Sequence, residues 1–151
     1  MQNRTMESFR ITGIAIRTTN ENGASAIAIP KLWNQFMTEN TMQQIAGKIS
    51  NDIYCVYTEY EKDFTKPYTT LLGCRVEDTA PGQDGFKSIL IPAGNYALFT
   101  AKGNLNEGIV FNEWTAIWNS SLQRAYTADF EIYGEKAQNP ANAAVEIFVA
   151  I

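Results

Sequence analysis

Alternating apolar and polar residues dominate this chain, and two segments with helical spacing interrupt them. Near the start, "SFRITGIAIRTTN" alternates as a strand, with Phe9 and Ile11 marking one face and Ile14 and Ile16 the other. That change of face predicts a bulge at Gly13. In "NENGASAIAIPKLWNQFMTEN", Ile29, Leu32, Trp33, Phe36 and Met37 recur at the spacing of one helical face. Pro30 suits the first turn of that helix, where a missing N–H costs nothing. "TMQQIAGKIS" is either a short helical turn or a loop. "IYCVYTEY" and "YTTLLGCRVED" then read as the strands of a hairpin joined by the polar, proline-bearing "EKDFTKP". The punctuation of "DTAPGQDG" marks the predicted linker.

The second half repeats this order. "FKSILIPAGNYALFTAKG" is a long strand interrupted at Pro92-Ala93-Gly94, where a turn or bulge bends the chain. "NLNEGIVFNEWTAIWNSS" places Val110, Trp114, Ile117 and Trp118 on one helical face. "ADFEIYGE" and "AVEIFVAI" follow as strands, separated by the turn-rich "KAQNPANA". Both halves therefore read strand–helix–strand–strand, and apolar helical stripes of this length must bury against a sheet. The predicted fold is α+β. Two βαββ units, pseudo-repeats over about 6–79 and 85–151, form one domain spanning 1–151. Their sheets join edge to edge as one antiparallel sheet, with two helices on one side and a central ligand cleft between the halves. The side opposite the helices is expected to be a concave face or a cleft.

Composition narrows the function classes. The chain has 151 residues, a net charge of −4 and no Lys/Arg cluster, which argues against direct nucleic-acid binding. No apolar run approaches the roughly 18–20 residues of a membrane helix, and the first residues lack a signal-peptide core, so a cytoplasmic location is expected. Cys55 and Cys74 sit in apolar runs and read as small core residues. There is no histidine. That rules out Ser-His-Asp and Cys-His catalysis and any His-containing metal site; no cofactor is implied, and "GNLNEG" lacks phosphate-loop spacing. Three Trp, seven Tyr and eight Phe are enough both for a core and for the lining of an apolar pocket.

The candidate chemistry lies in "DFEIYGE". In a strand Phe130 and Ile132 share one face, Glu131 and Tyr133 the other. Two environments are open to Glu131: the wet face of an antiparallel strand, or the base of a pocket. The segments "SILIPAGNYALFTAKG", "EWTAIW" and "DFEIYGE…EIFVAI", taken in this order, resemble the effector-binding domain shared by AraC-type regulators and gyrase-inhibitor-like proteins. The resemblance covers nearly the whole chain and is best from Phe86 to Ile151. It implies a cleft that binds small lipophilic compounds, often cationic and aromatic, and it carries over Glu131, with Tyr133 beside it, as the acidic partner of the ligand's charge. The chain has no room for the helix-turn-helix domain of the regulators, so it resembles the stand-alone members.

Physics favours the same ligand class. A carboxylate among aromatic rings loses hydration, an incoming cation restores a partner, and the ring faces add about 0.5–2 kcal/mol each. Trp33, Trp114 and Trp118 lie on apolar helical faces, which suit both core packing and contact with ligand. Glu113 flanks the second stripe as a pocket-edge residue or a solvated one. Tyr54 and Tyr57 fall on opposite faces of their strand; matching Ile53-Tyr54 to Ile132-Tyr133 selects Tyr54. Three functions follow. The first is a non-catalytic receptor or sequestering protein for lipophilic cations. The second is a carboxylate-dependent hydrolase of small electrophiles, and the third is a gyrase-inhibitor-like module with a protein partner.

Overall fold

The structure, a computed structural model, describes residues 2–151. Its strands are β1 (Gln2–Met6), β2 (Phe9–Thr18), β3 (Ile53–Thr58), β4 (Tyr68–Val76), β5 (Lys87–Ile91), β6 (Gly94–Gly103), β7 (Ala128–Tyr133) and β8 (Ala143–Ala150). Helix α1 spans Ala24–Thr38, the single turn α2 Thr41–Gln44, and α3 Ile109–Trp118. All eight strands form one antiparallel sheet in the order β1-β6-β8-β7-β3-β4-β2-β5. The units β2-α1-β3-β4 and β6-α3-β7-β8 join through the central β3–β7 pair, as the duplicated pattern predicts.

The two edges of this sheet belong to one ribbon. Met6 faces Gly94 and Phe9 faces Ile91, so the register of β1 on β6 runs on unbroken into that of β2 on β5. The ribbon leaves one end of the sheet and arrives at the other, which curls the sheet upon itself. The face turned inward by the curl is filled by Phe9, Tyr54, Tyr96, Phe130 and Phe148 with aliphatic neighbours. Among the described residues it is core, which fills the helix-free side where a concave face or cleft is expected. Curling brings that face's own side chains together, so no second layer is needed.

The outward face carries the helices. Helix α1 places Leu32 and Phe36 on Ile14, Leu72 and Cys74, while α3 places Trp114 and Ile117 on Ala101, Ile147 and Val149. Because β2 is covered on both faces, Phe9 and Ile11 can face the inner core while Ile14 faces α1 without any change of pleat. The bulge expected at Gly13 is therefore absent: pairing with β4 is regular from Arg10 to Thr18. Gly13 serves close approach instead, since a Cβ there would lie 1.9 Å from the Leu72 carbonyl oxygen. Pro30 also departs from expectation. The helix begins at Ala24, so Pro30 lies inside it and deprives the Ala26 carbonyl of its usual donor.

Candidate ligand-binding site

Two helices laid side by side on a curved sheet leave a trough between them, and here it is a cleft of about 1060 Å³. One wall is α1, through Ile29, Pro30, Trp33 and Met37; the other is α3, through Val110, Phe111, Trp114 and Trp118. The floor is the central strand pair, from which Tyr57, Glu131 and Tyr133 rise. Asp52 and Glu135 also line the cleft, as do Tyr60, Phe64 and Arg124.

Strand parity decides what reaches the floor. Residues directly opposite each other in an antiparallel pair share a face. Phe130 packs in the inner core, so Glu131 and Tyr133 must point at the helices. Glu131 is 1% exposed, and its carboxylate holds three hydrogen bonds. Oε2 accepts from the Tyr57 hydroxyl at 2.8 Å and from the Trp114 indole N–H at 2.6 Å, and Oε1 accepts from the Tyr133 hydroxyl at 2.6 Å. Burial pushes the Glu131 carboxyl above its ordinary range, against the opposing pull of the donors Tyr133, Trp114 and Tyr57. The Tyr57 and Tyr133 phenols are pushed well up, first by burial and also by Glu131 itself, so both stay protonated and donate.

Aromatic edges tie the floor to the walls. Tyr133 meets Trp33 edge-on at 4.8 Å between centroids, and Tyr57 meets Trp114 edge-on at 5.5 Å. Phe64, from the β3–β4 connection, stacks flat on Trp118 at 5.4 Å. The residues singled out in the sequence thus divide. Glu131, Tyr133, Trp33, Trp114 and Trp118 line the cleft; Tyr54 and Glu113 do not. Tyr54 faces the inner core because Ile53, not Tyr54, stands opposite Tyr133. The two Ile-Tyr dipeptides match in sequence but with their faces exchanged. Glu113 is half-buried on α3, roughly 100° around the helix from Trp114 and away from the cleft-facing stripe.

Tyr60, Phe64 and Arg124 carry no signal of their own in the sequence. Tyr57 was within reach of parity: it lies opposite Asp129, two residues from Glu131 and on the same face. Arg124 sits in an irregular segment whose path only the fold reveals. Among the described residues no group of three His, Cys, Asp or Glu side chains could hold a metal ion, and no helix is long and apolar enough to cross a membrane.

Known proteins share this architecture. The family Cass2, described as integron-associated effector binding protein, matches residues 4–151. YobU of Bacillus subtilis (strain 168), whose name marks it as a candidate transcriptional regulator, is 33% identical over 149 residues, covering 94% of this chain and 91% of its own. The integron cassette protein VCH_CASS2 from the mobile metagenome of Vibrio cholerae superposes with a TM-score of 0.72 at 30% identity, over 99% of this chain and 94% of that one. SAV2435, solved bound to tetraphenylphosphonium, shares the fold with a TM-score of 0.77 at 14% identity, over 98% of this chain and 91% of that one. By the match along nearly its whole length, this chain belongs to the Cass2 family of integron-associated effector binding proteins.

Proposed function

We propose that this protein is a non-catalytic receptor for lipophilic, aromatic cations, which it binds in the cleft between α1 and α3. The observation that carries this reading is the buried Glu131 carboxylate on the floor of an aromatic-walled cleft, held by three donors and lacking a cationic partner among its hydrogen bonds. A delocalised cation supplies the missing charge and loses little hydration on entering, while the indole and phenol rings contribute cation–π attraction. A small hydrated ion loses far more and finds too few oxygen ligands. The tetraphenylphosphonium bound by SAV2435 is a ligand of this class, on the same fold. Hydrolysis is the weaker reading, because the three donors already occupy both carboxylate oxygens, one of which would have to take a proton from the attacking water.

The test is a fluorescence titration of the protein with a cationic aromatic dye and a neutral analogue of the same shape. Selective binding of the cation is expected, and Glu131→Gln weakens it at least tenfold, as loss of one charged contact in a dry site requires. Equal affinity for the neutral analogue, or an undiminished affinity in the variant, would sink the proposal.

A further inference from the structure

Beyond Glu131, the cleft holds one more buried charge. Arg124 is the one basic residue lining it among the described residues. Its side chain is 4% exposed, and its Nη2 donates to Oδ2 of the fully buried Asp129 at 2.7 Å. Asp129 also accepts from the Tyr60 hydroxyl at 2.6 Å and from the Ala150 backbone N–H at 2.9 Å, so its place is fixed. The guanidinium packs against the rings of Tyr126, Trp114 and Phe64, with centroids 4.4, 5.6 and 5.7 Å away. Its Nε and Nη1 are buried and have no hydrogen-bond partner.

A buried donor left unmade discriminates strongly between a ligand that can satisfy it and one that cannot. Trp114 joins this group to the floor, since its indole N–H donates to Glu131 while its ring lies against Arg124. One compact molecule can therefore span both. Charge decides what kind of acceptor fits. Asp129 already balances the guanidinium, and Glu131, Asp52 and Glu135 leave the cleft negative, so a carboxylate would enter against the field while a neutral oxygen would not.

We propose that Arg124 is a second polar subsite of the cleft, and that it takes a neutral carbonyl-type oxygen borne by the same lipophilic cation whose charge faces Glu131. This rests on the cation-receptor reading. Arg124 acts as the specificity determinant within that ligand class. It favours cations that carry an acceptor on an aromatic arm, and it orients them with the positive centre away from the guanidinium.

Two dyes with the same xanthylium cation test it: tetramethylrosamine, which has no carbonyl, and tetramethylrhodamine methyl ester, which has one. The protein is expected to bind the ester about tenfold more tightly, the difference one hydrogen bond to a charged donor makes. In Arg124→Met combined with Asp129→Asn, which removes both ends of the pair, that ratio falls to about one. Arg124→Lys, which keeps an ammonium for Asp129 but lacks both free nitrogens, lowers the ratio as well and serves if the double variant does not melt cooperatively. Equal affinity of the two dyes for the unaltered protein, or a preference surviving in either folded variant, overturns the proposal. Glu131→Gln separates the two readings. Weaker binding of both dyes at an unchanged ratio supports each; undiminished binding of both removes the cation site, while the ratio still reports on Arg124. If the unaltered protein binds neither dye, both readings fall.

Discussion

Glu131 is a carboxylate whose charge the fold opposes and whose hydrogen bonds favour it, and the balance leaves its proton held more tightly than in water. The sign of the pH dependence follows. A carboxyl with a raised pKa in the folded protein contributes its full stability below its unfolded pKa and loses it as pH rises through the folded value. A bound cation prefers the ionised form, so its affinity rises over that same window and levels off above it. Titration with a permanently charged dye from acid to neutral pH is expected to show this rise, and Glu131→Gln is expected to flatten it. A rise of equal size in the variant would assign it to another group. Asp52 and Glu135, which also line the cleft, are the groups to replace next.

At the scale of elements, β2 and β4 approach more closely than side chains permit. Gly13 stands opposite Gly73, and a Cβ on Gly73 would lie 2.1 Å from the Thr12 carbonyl oxygen. Both obstacles are backbone, so no rotamer change relieves them. Gly13→Ala is expected to destabilise the protein by roughly 1–3 kcal/mol or more, as overpacking does. A urea-denaturation midpoint shifted downward at unchanged slope checks it, and an unshifted midpoint would contradict the close approach. The elements themselves were legible from pattern: the α1 and α3 stripes, the β3–β4 hairpin and the terminal strand all form where the spacing places them. The bulge at Gly13 and the first-turn position of Pro30 were misread for one shared reason. A local pattern shows that a face changes or a helix exists, but not which layers cover a strand or how far upstream a helix begins.

For the whole molecule, the cleft exists because two helices are carried by two halves of one curled sheet. A ligand in it bridges α1, α3 and the central strands at once. Binding only the folded state, a cation at about a hundred times its dissociation constant adds about 2.7 kcal/mol of stability. For a chain of this size that raises the melting temperature by about 5–10 °C. Tetraphenylphosphonium in a thermal-shift series is expected to do so in the unaltered protein and to do much less in Glu131→Gln. A shift equally large in the variant would place the stabilisation elsewhere.

What the sequence determined by itself is what depends on short range: the strands and helices of the two βαββ repeats, though not strand β1 ahead of them, that the two halves correspond, and that Glu131 and Tyr133 share a face opposite Phe130. Those follow from period-two and period-3.6 spacing, which need no knowledge of neighbours. The tertiary structure decided the rest. Register set Tyr57 rather than Tyr54 beside Glu131, because antiparallel pairing exchanges the faces of two dipeptides that look alike in sequence. The curl of the sheet turned the helix-free face into core and left the cleft on the helix side. Chain path alone brought Arg124 to the cleft and onto Asp129 of β7, since an irregular segment has no period from which its position could be read.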